Sequence, residues 1–186
     1  MPLPFNNQEC LTVRLSALGD AILTTGVLAY WHDLAGLTFR VLTRPALAPV
    51  FENHPAVSGV VAVGESDTRG AAWARFCLRL SREYRDLPLV DLHVNLRTLA
   101  LRALWSGPVR TYAKLSLTRR LFLATRHPAL ADRLRRFNVP QRYALALEKT
   151  APDAAELRPR IFLTATETDE AERTLARLGL NRPVAI

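Results

Sequence analysis

Apolar and polar residues alternate at the start of this chain, then fall into step with a helix, and the change happens within fourteen residues. Leu11, Val13 and Leu15 alternate with Thr12 and Arg14, the two-residue period of a strand. Ala21, Ile22, Leu23, Val27, Leu28 and Trp31 follow at helical spacing, so a tight turn is expected over residues 16–20. Gly19, at the change of period, is expected to allow a backbone conformation or a close approach that a side chain would block. Asp20 precedes the first helical apolar residues, where a carboxylate caps free backbone N–H groups.

The same pattern continues along the chain. Residues 37–42 read as a second strand, and 45–53 as a short helix broken at His54-Pro55. Residues 57–63 form a continuous apolar run, the sign of a strand buried on both faces. A long helix is expected from Asp67–Arg69 to about Tyr84, with Ala72, Phe76 and Leu80 as its apolar stripe. Residues 87–94 read as a fourth strand, followed by a helix through Trp105 and a short strand over 109–112. Strands alternating with helices at these lengths predict a doubly wound parallel α/β sheet with helices on both faces.

Beyond Leu115 the reading is helical to Thr150, cut into pieces by Pro128 and Pro140. Residues 151–159 read as a linker, 160–163 as a short strand, and Thr166 as the N-cap of an amphipathic helix that Gly179 ends. Residues 183–186 begin another strand as the sequence stops. The expected organisation is one Rossmann-like domain over 1–157, then a linker helix and the start of a further domain over 158–186.

Composition sharpens this picture in one respect. Length (186 residues) and hydrophobic content (49%) suit one well-buried domain, and no apolar run approaches membrane-spanning length. The first residues lack the basic and apolar regions of a signal peptide, and Cys10 and Cys77 make no metal or disulfide pattern, so a cytosolic protein is expected. The net charge of +8, however, is concentrated. From Arg69 to Arg142 there are sixteen Lys and Arg against four Asp and Glu, while both flanks are slightly acidic. All but Lys114 and Lys149 of the basic residues are arginines, whose planar fork suits phosphate and carboxylate. An anionic partner is expected.

Several chemistries lack their motifs: there is no G-x-G-x-x-G, P-loop, H-E-x-x-H or G-x-S-x-G. His32, His54, His93 and His127 do not fall at ligand spacing, so no metal site is expected and the histidines read as surface or structural residues. Asp20 has two readings, a helix cap or a general base at the mouth of the crevice that forms at the carboxyl ends of parallel strands. A helix N-terminus stabilises a carboxylate and so lowers its basicity, which suits a base that acts late in the reaction.

The stretch from Val13 to Thr25, VRLSALGDAILTT, resembles the N-terminal signature of glycosyltransferase family 9, the ADP-heptose:lipopolysaccharide heptosyltransferases. Three later segments agree in order and spacing: VFENHP at 50–55, VDLHVNLR at 90–97 and RPRIFL at 158–163. Gly26 stands where the family usually has proline, a change expected to affect helix geometry more than chemistry. The resemblance implies the N-terminal, acceptor-binding half of a two-domain GT-B enzyme. In that reading Asp20 is the base that takes the acceptor hydroxyl's proton while heptose leaves ADP with inversion, without metal or cofactor.

The partners implied are a lipid A/Kdo-type anionic glycolipid and a nucleotide sugar, ADP-heptose, held mainly by a second domain. Peripheral contact with the cytoplasmic face of the inner membrane is also implied, and nucleic acid is not expected. Ser16 and Gly19 are expected to shape the turn and let substrate approach. Arg97, Arg119 and Arg120 are the expected acceptor contacts, and Asp91 and His93 are placed between a supporting and a structural role. Trp31, Trp73 and Trp105 are expected in the core. The competing reading is a non-catalytic domain that binds an anionic glycolipid or a nucleic acid through its arginines, most of which, taken singly, are solvated surface groups.

Overall fold

The structure is a computed structural model that describes residues 3–5 and 8–180. Five strands form one parallel sheet: β1 (Glu9–Arg14), β2 (Thr38–Thr43), β3 (Val57–Ala62), β4 (Leu89–Asp91) and β5 (Val109–Thr111). Their order across the sheet is β3-β2-β1-β4-β5. The chain builds outward from β1 through β2 to β3, then crosses to the other side of β1 for β4 and β5. The order therefore reverses between β1 and β4, the switch point at which open parallel sheets form their crevice beyond the strands' carboxyl ends.

Seven helices accompany the described strands: α1 (Leu18–Ala35), α2 (Gly70–Glu83), α3 (Leu96–Leu104), α4 (Ser116–Thr125), α5 (Pro128–Arg135), α6 (Val139–Ala144) and α7 (Ala165–Arg177). The strand period of two divides the core into two layers. Cys10, Phe39, Val41 and Val90 face one layer with Leu28 and Trp31 of α1 and Tyr143 of α6. Leu11, Val13, Leu42 and Leu89 face the other with Trp73, Phe76 and Leu80 of α2 and Leu101 of α3. All three tryptophans are buried as expected, and each indole N–H has a partner: Glu148 for Trp31, the Arg97 carbonyl for Trp73 and the Leu87 carbonyl for Trp105.

Four expectations are corrected. β3 is an edge strand whose residues are half-buried or exposed, because among the described residues no strand pairs beyond it. β4 pairs only over three residues, not over 87–94. Asp91 ends it by accepting the backbone N–H groups of His93 and Val94, both at 2.9 Å, and Val94 follows with φ of 46°, a left-handed conformation that a β-branched residue adopts at a cost. Residues 158–164 form no strand. The Arg160 N–H donates to Thr25 Oγ1 at 3.0 Å and Phe162 packs edge-on to His54, so this segment crosses α1 rather than joining the sheet. Finally, α7 is capped by Thr164, not Thr166: Thr164 Oγ1 accepts the Glu167 N–H while Glu167 reaches back to the Thr164 N–H. The strand expected over 183–186 lies outside the described residues.

Gly26 sits mid-way along α1, beneath this crossing segment. A Cβ there would overlap the carbonyl oxygens of Leu157 and Arg158. The helix itself runs without interruption, so the consequence of this residue lies in packing rather than in helix geometry. His54 serves the same contact: its Nδ1 accepts the Ala56 N–H and its Nε2 donates to the Thr25 carbonyl at 3.0 Å. Among the described residues, no helix is long and apolar enough to cross a membrane.

Candidate active site

The crevice is lined from four directions. β1 ends in Arg14 and passes through the exposed turn Ser16-Ala17, a cis peptide, into the first turn of α1. β4 delivers Asp91 and His93. β5 leads to Tyr112 and Lys114, and α6 presents Tyr143 from above.

Asp20 is the third residue of α1, not its cap. Ala17 occupies the cap position and makes no side-chain cap hydrogen bond. The Asp20 carboxylate instead turns to partners distant in sequence. Tyr143 Oη donates to Oδ1 at 2.9 Å, and Arg14 Nη1 stands 3.6 Å from Oδ2. The carboxylate is 42% exposed, whereas Arg14 is only 2% exposed. It is thus held from behind and open to the crevice in front, within the positive end of the α1 dipole. Gly19, next to it, has an ordinary helical conformation, and a Cβ there would meet open space. The backbone requires no glycine at this position. The opening beside Asp20 is what the glycine leaves.

Arg14 belongs to the same group. Its guanidinium lies over the Tyr143 ring, 4.5 Å from the centroid, and Tyr143 in turn meets Tyr112 edge-on at 5.0 Å. Two of its buried nitrogens, Nε and Nη2, have no hydrogen-bond partner among the described residues. Burying a charge so sparsely paired costs several kcal/mol, a cost that apolar packing alone would not retain. Burial raises the Tyr143 phenol well above its ordinary value, so it stays a donor to Asp20. The segment that follows α6 is fixed in turn at Glu148, which accepts from Trp31 Nε1 at 3.0 Å and Tyr30 Oη at 3.2 Å.

Asp91 is fully buried, carries the turn after β4 on Oδ1 and places Oδ2 3.3 Å from Arg102 Nε. His93 is also buried. Burial, together with the charges of Arg14 and Lys114, holds its imidazole down to about 4, against the weaker opposing pull of Asp91 and Asp20. It is therefore neutral near pH 7. Lys114 Nζ donates to the carbonyls of His93 and Val94, both at 3.1 Å, and so ties the start of the α4 segment to the rim.

This arrangement has a consequence for stability. The unfolded chain's histidine takes up a proton near pH 6.5 and the folded one only near 4. Stability is then fully present above 6.5 and falls as the pH drops through that window, by about 3 kcal/mol from His93. His54, also lowered by burial, acts in the same direction. The urea midpoint is expected to drop between pH 7 and 4.5, and His93→Gln to flatten that drop; an unchanged pH profile in the variant would refute the assignment.

The structure brings Asp20, Ser16, Gly19, Asp91 and His93 to one end of the sheet. Arg97 is exposed in the first turn of α3, after a capping box made by Asn95 and Thr98. Arg119 and Arg120 are exposed on α4. Among the described residues none of these three arginines is in an ion pair. Arg14, Tyr143 and Lys114 were not singled out by sequence. Arg14 had a usable signal, a charge between Val13 and Leu15 at the carboxyl end of a buried strand; Tyr143, more than a hundred residues away, had none. No three His, Cys, Asp or Glu side chains come together as a metal site would require, among the described residues.

A parallel sheet in this order with helices packed against it is a Rossmann-like fold, shared with GT-B glycosyltransferases. Solved structures that share this fold include glycosyltransferases. A glycosyl transferase family 9 protein from Veillonella parvula superposes with a TM-score of 0.66 at 15% identity, over 98% of this chain and 56% of its own. Escherichia coli ADP-heptose lipopolysaccharide heptosyltransferase II gives 0.61 at 13% identity, over 93% and 51%. The E. coli heptosyltransferase WaaC with ADP gives 0.54 at 17% identity, over 78% and 49%. The chain thus spans about half the length of the structures it resembles, and at these identities the likeness is one of fold. No protein-family model matches the sequence, and neither does any curated protein.

Proposed function

We propose that this chain is the acceptor-binding half of an inverting glycosyltransferase that moves heptose from ADP-heptose to the lipopolysaccharide inner core. The observation that carries the reading is the Asp20 carboxylate, held by Tyr143 and Arg14 and open to the crevice between β1 and β4. A base so placed takes the proton of an acceptor hydroxyl as the glycosidic bond forms on the opposite face from the departing diphosphate. The hydroxyl becomes acidic late in the reaction, as bonding to the anomeric carbon develops, and the carboxylate then takes its proton. The fold neighbours support the class: their names are those of glycosyltransferases, one of them solved with ADP. The arginine-rich middle of the chain suits an acceptor that carries phosphates and carboxylates. In this reading residues 1–157 form the acceptor domain and 158–186 lead toward a donor-binding domain. Residues 1–186 alone are then inactive.

Titrating the 186-residue chain with heptose-deficient, Kdo-bearing lipid A and, separately, with ADP-heptose tests the assignment. The glycolipid is expected to bind and the nucleotide sugar not. Binding of ADP-heptose alone would mean the two halves are assigned the wrong way round, and binding of neither would remove the reading.

A further inference from the structure

The two edges of the sheet are finished differently. β5 is three residues long, follows Pro108 and carries the exposed Arg110, the short, charged kind of edge that resists pairing with another strand. β3, at the other edge, is six residues long, and its sequence VSGVVA holds no charge and no proline. Just past its end, the Val63 N–H donates to the Thr43 carbonyl at 2.8 Å. Alternation along the strand then turns the backbone groups of Val61 toward β2 and those of Val60 and Ala62 away from the sheet. Among the described residues nothing pairs with those outward groups. The side chains are unfinished as well. Val57 and Val60 pack against one core layer and Val61 against the other, yet all three stay only half-buried. Both layers of the core run out at this edge with apolar surface still in water.

We propose that β3 pairs antiparallel with β3 of a second copy of this chain across a twofold axis, joining two five-stranded sheets into one. A strand of the same six residues supplies partners for the outward N–H and C=O groups and covers valines of both layers at once. Self-pairing also meets no electrostatic obstacle. β3 is uncharged, and Arg40, which reaches over Gly59 from β2, is already paired with Glu9 at 3.1 Å. A foreign peptide that adds a strand is selected by side-chain pockets or charges along the edge, and β3 has no charge for it to read. The twofold arrangement uses the same edge on both copies and closes at the dimer. Two six-residue strands meet over about 20 Å, less surface than a permanent dimer buries, so dissociation in about the micromolar range is expected. β2 separates β3 from β1, and β4 lies beyond, so the crevice between β1 and β4 stays open in the dimer. The inference goes beyond the transferase reading and does not need it.

The test is sedimentation velocity of the 186-residue chain from about 1 to about 100 μM, which spans the expected dissociation constant. A monomer–dimer equilibrium is expected. Ala62→Lys puts a charge on the exposed edge, and Ala62→Pro removes an outward N–H without breaking a bond to β2. Each should weaken the dimer by about tenfold or more, with the thermal melt of the dilute monomer close to the parent's. Leu117 and Leu121 of α4, 67% and 45% exposed, are the rival apolar surface, and L117S/L121S is expected to leave the dimer intact. A chain that stays monomeric throughout, a dimer that survives both Ala62 variants, a dimer lost in L117S/L121S, or growth past the dimer with concentration would each overturn the proposal. No sugar or nucleotide enters these measurements, so the result is separate from the fate of the transferase reading.

Discussion

Replacing Asp20 by asparagine is expected to lower transfer by about 10³-fold in any transfer-competent protein that contains this chain, with acceptor binding retained within a few-fold. The geometry makes the substitution unusually clean. An asparagine carbonyl oxygen can still accept from Tyr143 Oη, which now donates to Oδ1 at 2.9 Å, so the first turn of α1 keeps its anchor. The side chain is 42% exposed and does not cap the helix, so the stability at stake is confined to the charge lost opposite the buried Arg14, which a thermal melt run beside the assay accounts for. What is removed is the capacity to take a proton. Measuring kcat and glycolipid affinity side by side separates the possibilities. A loss of both together would make Asp20 a binding group, and a loss of neither would make the domain a binding module.

The second large effect concerns stability. Gly26→Ala is expected to cost about 2 kcal/mol, read as a fall in Tm of about 4–8 °C. In an open helix this change would stabilise by about 1 kcal/mol, since glycine is the poorer helix former. Here the new Cβ would meet the backbone oxygens of Leu157 and Arg158, with the carbonyl carbon of Arg158 only 2.7 Å away. Backbone cannot step aside as a long side chain can, so residues 157–163 must lift from α1. That displacement would break the hydrogen bond from Arg160 N–H to Thr25 and the packing of Phe162 on His54. A variant as stable as the parent would show that the crossing segment is not held where the structure places it.

Gly26 also illustrates where reading the sequence stops. Set against the proline that the family resemblance implies there, it looked like a change of helix geometry, because such a comparison describes one element at a time. Its real constraint is a segment that arrives more than a hundred residues later. The short strand read over 160–163 failed for the same reason. Its apolar residues, Ile161 and Leu163, are exposed, and Phe162 is taken up by His54 rather than by a neighbouring strand. β4 was read too long because an apolar run cannot announce that Asp91 will fold back on the two N–H groups that follow it.

The sequence by itself determined the parallel α/β architecture, the succession of its five strands and the helices between them, the burial of the three tryptophans and the prominence of the turn from Val13 to Asp20. These follow from local periodicity and turn chemistry, which each segment carries alone. Only the tertiary structure decided what Asp20 does with its carboxylate. The sequence left it between a helix cap and a general base; the fold makes Ala17 the cap and hands Asp20 to Arg14 and Tyr143. The reason is physical: a cap is satisfied within one helical turn, whereas this carboxylate is satisfied by a strand end and a helix that meet only when the sheet reverses its order between β1 and β4.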